Sequence, residues 1–148
     1  MELFKQLNKA IHIATDYHDG QVDKGGQPYI LHLIWVMNDV KSLRGKIVAV
    51  LHDIVEDTEV TIDNLTNFGF DDDIITAIDI LTKKKEQKYN DYIESIGKNS
   101  LAREVKISDL KHNMDLKRLK EVTDTDKNRY DKYKKSYDYL VYLYYKIS

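Results

Sequence analysis

Apolar residues recur along this chain at helical rather than strand spacing. Leu3, Leu7, Ala10, Ala14 and Tyr17 follow one another at steps of three and four, which predicts an amphipathic first helix ending at Asp19-Gly20. The next stretch, GQVDKGGQPY, holds three of the six glycines and the only proline, and reads as a loop. Residues 30–40 (ILHLIWVMNDV) and 46–55 (KIVAVLHDIV) are apolar nearly all round, the pattern of central buried helices. Their β-branched runs leave strands as an alternative for each. Thr61 is placed to cap a short helix ending near Phe68-Gly69. Asp71, Asp72 and Asp73 stand at the start of the ITAIDIL helix, where acidic groups suit the positive end of the dipole. Further helices are expected at 88–96, 100–113 and 127–146, with KKKEQK (83–88) as a solvated connection. The pattern therefore predicts an all-α protein, one helical bundle spanning 1–148, without internal repeats.

Composition narrows the function classes. Twenty-three basic and twenty-five acidic residues leave a net charge of −2. That balance gives no general attraction for nucleic acid or an anionic membrane, so any phosphate site must be local. The absence of cysteine rules out disulfides and thiolate metal sites. No apolar run approaches the roughly 18 residues of a membrane span, and the amphipathic N-terminus does not read as a signal peptide, so a cytoplasmic protein is expected. Seven of the eleven tyrosines lie between Tyr130 and Tyr145. Tyr130, Tyr133, Tyr137, Leu140 and Tyr144 form one stripe at helical spacing. Packing of this helix on the domain is the favoured reading, and a homodimer through the Tyr-rich helix is the alternative.

The candidate chemistry lies in the apolar segments. His52 and Asp53 adjoin within a nearly apolar helix, where an unpaired carboxylate would be costly and a cation would relieve it. Glu56 follows His52 by four residues and Asp57 follows Asp53 by four, so a continuous helix would crowd all of them on one side. His32 lies in the other apolar segment, and Asp109 in VKISDLKHN. Together His32, His52, Asp53 and Asp109 make a mixed nitrogen–oxygen donor set that leaves room for water on an octahedral ion. Mn²⁺ suits it best, with Fe²⁺, Mg²⁺ and Zn²⁺ as alternatives. Such an ion acidifies water for attack on phosphorus, and Glu56 and Asp57 would orient or deprotonate that water.

Four segments, HDGQVDKGGQPYILH (18–32), LHDIVEDTEVT (51–61), FG (68–69) and VKISDLKHNMDL (105–116), resemble the hydrolase domain of RelA/SpoT-type alarmone enzymes and their small stand-alone relatives. The resemblance covers roughly residues 10–119, with the motifs in the same order. It implies an all-α HD-type fold, Mn²⁺, and removal of the 3′-pyrophosphate from guanosine tetra- or pentaphosphate. By motif position it makes His32, His52, Asp53 and Asp109 the metal ligands, Glu56 and Asp57 the catalytic acidic pair, and Lys24 and Asn113 substrate contacts. Two positions depart from it. The family's loop reads Arg-Lys where this chain has Asp23-Lys24, and its later motif has arginine at the position of Leu110, with Lys111 one place on. An anion at position 23 facing a polyphosphate would weaken binding, by roughly 2–3 kcal/mol at an effective dielectric of about 20.

Other readings stay open at this point. The substrate could be another nucleotide, such as an adenosine alarmone, a dinucleotide cofactor phosphate or a nucleoside monophosphate, or the chain could sense nucleotides without turnover. The sensor is disfavoured because binding alone needs neither Glu56 nor Asp57. His12 reads as a packed or surface residue. His18 either contacts substrate or shapes its turn, and His112 either orients a ligand or caps its helix. Lys117 and Arg118 read as solvated surface.

Overall fold

The computed structural model describes residues 1–147. Its helices are α1 (Leu3–Tyr17), α2 (Ile30–Asp39), α3 (Leu43–Leu51), α4 (Ile54–Asp57), α5 (Ile62–Phe68), α6 (Asp72–Leu81), α7 (Tyr89–Gly97), α8 (Ser100–Asn113) and α9 (Asp124–Ile147), with a 3₁₀ turn at Leu116–Arg118. No strand occurs among the described residues. Both apolar segments are helices, and a lone bridge between Val22 and Pro28 pinches the loop that precedes α2.

Helix α3 is the axis of the molecule. It packs against α1, α2, α6 and α8. Ile47, Val48, Ala49, Val50 and Leu51 are all fully buried, which explains why this stretch carries no polar stripe. Each buried Val, Leu or Ile stabilises by about 1.5–3 kcal/mol relative to exposure. The start of α3 is anchored by Ser42, whose Oγ accepts from the Gly45 amide at 3.0 Å. Glu104 of α8 reaches across to accept from the Ser42 amide at 3.2 Å and the Lys41 amide at 3.3 Å. Helix α5 opens with a reciprocal capping box between Thr61 and Asn64 and closes at Gly69, whose φ of 94° suits a residue without Cβ.

The helix expected at 46–55 is interrupted. In an unbroken helix the Ala49 carbonyl would accept from the Asp53 amide. Instead it accepts from the His52 backbone amide at 3.5 Å, and the His52 imidazole Nδ1 lies 2.5 Å from the same oxygen. The backbone turns at Asp53 (φ −103°, ψ 1°) and resumes as the single turn of α4. Competition between a side chain and the backbone for one carbonyl thus ends α3 at the His-Asp pair.

Helix α9 starts at Asp124, three residues before expectation, where Thr123 and Asp126 bond reciprocally to each other's amides. It covers α8 and α7. Tyr133 and Tyr137 pack on the core around buried Leu140, whereas Tyr139, Tyr142, Tyr144 and Tyr145 are exposed. The stripe therefore packs inward, except at Tyr144. Ser42→Ala removes the cap of α3 and is expected to lower unfolding stability by about 1 kcal/mol, measured by urea titration, with helix content unchanged. No shift in midpoint would remove the cap from the account of α3.

Candidate metal centre

Three elements converge on one point. The ligand atoms of His32 (α2), His52 and Asp53 (the α3–α4 turn) and Asp109 (α8) all lie within 4.8 Å of one another. His32 Nε2 is 2.8 Å from Asp109 Oδ1, and His52 Nε2 is 3.2 Å from both Asp109 Oδ1 and Asp53 Oδ2. His32, His52 and Asp109 are buried, and Asp53 is half-buried. Apolar faces of α2, α3 and α8 bring the three buried groups inward. The interrupted helix turns Asp53 toward them.

The surrounding groups hold these side chains in place. Lys106, one turn before Asp109, donates to Asp109 Oδ2 at 3.0 Å, and its ammonium sits 5.4 Å from the centre of the Tyr92 ring. Asn113 donates to Asp109 Oδ1 at 3.1 Å. Tyr29 donates its hydroxyl to Asp53 Oδ2. His112 stacks between Trp35, at 4.2 Å between ring centres, and His32, at 5.0 Å, with its Nδ1 2.7 Å from His32 Nδ1. His112 therefore orients a candidate ligand, one of the two roles left open by sequence.

The buried charges of the cluster shift one another's titration. Burial alone would lower the His52 pKa, but the Asp53 and Asp109 carboxylates raise it well above the ordinary imidazole range. Burial alone would raise Asp109, but Lys106 and then His52 hold it well below the ordinary carboxylate range. Asp53 is likewise held down against burial by His52. With Nδ1 at the Ala49 carbonyl, His52 Nε2 faces both carboxylates. Two imidazole nitrogens and two carboxylates with no sulfur fit a divalent cation of the first transition row.

The expected catalytic pair lies on α4. Asp57 lies one turn after Asp53, with its amide bonded to the Asp53 carbonyl at 2.9 Å. Its carboxyl is pushed up to about 6 by burial, then by the Asp53 and Glu56 carboxylates. Glu56, whose charge reaches Asp57, has one oxygen engaged: its Oε1 accepts from the Lys83 amide at 2.6 Å, fastening the connection after α6 to the metal-centre turn. His18 shapes its turn: Nδ1 bonds Gln21 Oε1 at 2.8 Å, and Gln21 donates to the Asp57 carbonyl at 3.1 Å. His12 is exposed.

A cavity of about 310 Å³ adjoins the centre, lined among others by Lys24, Tyr29, Asn113, Arg129 and Tyr133. Lys24 and Asn113, both expected at the substrate, do line it. The Lys24 pKa is lowered by burial and then by the nearby Arg129, which itself pairs with Asp126 at 3.0 Å. Asp23, expected beside the substrate as an anion, instead pairs with Arg118 at 3.0 Å. Arg118 is accordingly not the solvated residue that the sequence suggested, whereas Lys117 is exposed. Leu110 is fully buried core, and Lys111 faces outward to Asp39 at 3.2 Å. Lys106 supplies the cation at Asp109. Sequence reasoning missed Tyr29, Lys106, Arg129 and Tyr133. Lys106 alone had a local signal, a cation three residues before a carboxylate in an apolar segment.

No family model matches the chain. Among curated proteins it is 36% identical over 83 residues to the guanosine-3′,5′-bis(diphosphate) 3′-pyrophosphohydrolase of Borreliella burgdorferi, covering 53% of this chain and 12% of that protein. It is 30% identical over 97 residues to the protein of the same name from Vibrio cholerae, covering 63% of this chain and 14% of that one. It is also 28% identical over 123 residues to a GTP pyrophosphokinase of Streptomyces coelicolor, covering 74% of this chain and 14% of that protein. The chain thus spans about an eighth of the length of these relatives. Among solved structures, a metazoan ortholog of SpoT superposes with a TM-score of 0.74 at 24% identity, over 91% of this chain and 85% of that one. The chain resembles the RelA/SpoT-type hydrolases in sequence and has their helical HD fold. No helix among the described residues is long and apolar enough to cross a membrane.

The raised Asp57 carboxyl makes stability depend on pH. In metal-free protein the folded group titrates near 6, against roughly 3.9 unfolded. Between those values the folded state binds more protons, so stability falls as pH rises through the window, and the full penalty applies above it. Asp57→Asn removes that penalty. The variant is expected to be more stable than wild type at about pH 7.5 and indistinguishable at about pH 4, measured by urea unfolding in EDTA. A pH-independent difference would show that ionisation of Asp57 is not its cause.

The His52 proton gives a second expectation. Calorimetric Mn²⁺ titrations in buffers of different ionisation enthalpy should show release of about one proton per ion. Asp53→Asn should abolish stoichiometric binding. Retained binding in that variant, or no proton release in wild type, would remove the cluster as a metal site.

Proposed function

We propose that this chain hydrolyses the 3′-pyrophosphate of guanosine tetra- or pentaphosphate, with Mn²⁺ held by His32, His52, Asp53 and Asp109. The observation that carries the reading is the convergence of these four residues beside a cavity whose near wall holds Lys24 and Arg129. Similarity to proteins named as guanosine-3′,5′-bis(diphosphate) 3′-pyrophosphohydrolases, and to a SpoT ortholog described as hydrolysing ppGpp, supports the substrate.

A bound divalent cation acidifies water and offsets charge on phosphate oxygens. The chain's own groups supply the rest. Lys106, Asn113 and Tyr29 fix the orientation of Asp109 and Asp53, and His112 fixes His32. Asp57, one turn after Asp53, would take a proton from the attacking water. Lys24, Arg129 and Asn113 bind the phosphorylated ligand at the cavity. Glu56 holds the Lys83 amide with one oxygen and leaves the other for the reacting water.

A second reading, hydrolysis of a different phosphorylated nucleotide, is favoured by one observation. The loop position that carries a cation in the resembled family here holds Asp23, neutralised by Arg118. Purified protein with Mn²⁺, tested against guanosine, adenosine and dinucleotide cofactor phosphates with products identified, separates the two. Preferential release of pyrophosphate from ppGpp is expected, and absence of that product would pass the assignment to the preferred nucleotide. Glu56→Gln keeps the acceptor for Lys83, and Asp57→Asn keeps shape. Both are expected to retain the metal and lose roughly 10²–10⁴ in kcat. Near-normal rates would remove them from the chemistry.

A further inference from the structure

Loop 20–29 and the Leu116–Arg118 turn meet at the cavity mouth, 95 residues apart in sequence, through the Asp23–Arg118 pair. Both side chains are largely buried, 11% exposed for Asp23 and 21% for Arg118, so solvent screens the pair less than a surface contact. Each also bonds the backbone of its own segment. Asp23 Oδ1 accepts from the Gly25 amide at 2.9 Å and the Gln27 amide at 3.0 Å, and Oδ2 accepts from Arg118 Nη2. Arg118 Nη1 donates to the His112 carbonyl at 2.9 Å and lies 3.5 Å from Asn113 Oδ1. The backbones touch as well. A Cβ on Gly25 would fall 2.2 Å from the Arg118 carbonyl oxygen, so only glycine permits the approach. Lys24 lies between these two contacts.

We propose that the Asp23–Arg118 pair is a clasp that docks loop 20–29 onto the end of α8, so that Lys24 and Asn113 face one cavity. Asp23 is then a positioning residue for ligand affinity, acting through Arg118, and not an anion presented to the substrate. This explains how the loop carries a carboxylate at the mouth of a phosphate-binding cavity. Its charge is neutralised by the arginine. The inference rests on the phosphorylated-nucleotide reading for its ligand, and the geometry of the clasp stands apart from that reading.

The test uses Asp23→Asn, Arg118→Gln and the double variant Asp23→Asn/Arg118→Gln. Asp23→Asn preserves an oxygen for the Gly25 and Gln27 amides while losing the charge pair, so a role confined to folding the loop leaves it neutral. Each single variant is expected to raise KM for ppGpp about tenfold with kcat changed less than about threefold. The double variant should raise KM no more than either single variant, to within about threefold, because the two positions are energetically coupled. Trypsin cleavage after Lys24, mapped by mass spectrometry, should accelerate in Arg118→Gln and accelerate no further in the double variant, with melting temperatures measured alongside. If wild type fails to turn over ppGpp, the proposed substrate falls, and the clasp is judged on Lys24 cleavage and on calorimetric binding of inorganic pyrophosphate by the Mn²⁺-loaded protein. Unchanged cleavage and unchanged affinity in Arg118→Gln, or additive effects in the double variant, overturn the clasp.

Discussion

Asp109 is buried on a helix whose neighbours are mostly apolar, and an ionised carboxylate there persists only if it is surrounded by donors. His32 and His52 approach one of its oxygens together with Asn113, and Lys106 takes the other. Those donors come from α2, the end of α3 and α8 itself. The three helices that bury the chain's apolar residues are therefore also required to meet at this carboxylate. Packing and site assembly are one constraint.

The same constraint explains which parts of the site can be read from sequence. Histidine and aspartate within segments as apolar as ILHLIWV and IVAVLHDIV have few uses other than to meet one another, so His32, His52, Asp53 and Asp109 stand out from the sequence alone. The helical pattern is legible for a similar reason. Burial on one face leaves a period of three to four, and burial on all faces leaves a long apolar run. What escapes is contact between distant, ordinary-looking residues. Tyr29, Arg129 and Tyr133 carry no local mark of their role. Arg118 resembles solvated surface because its partner is Asp23, and nothing in the spacing connects the two.

The fate of Glu56 shows a different limit. Periodicity assigns it to the same side as Asp57 because the segment has the pattern of one helix. The backbone leaves helical geometry at residue 53, and Glu56 beyond it also serves the Lys83 amide. Patterns of apolar residues report which element forms, and they are silent where a polar side chain competes with the backbone for a carbonyl.

That competition bears on how any His52 variant is to be understood. The imidazole serves two structures at once: Nε2 faces the carboxylates, while Nδ1 occupies the oxygen that would otherwise let α3 run on. Replacing it with alanine returns the Ala49 carbonyl to the Asp53 amide and frees the helix to extend. Asp53 would then be carried around the axis, away from its partners. The deletion of one donor becomes the misdirection of a second. An isosteric residue that keeps the bond to Ala49 while lacking a second nitrogen donor is the only substitution that separates coordination from chain direction.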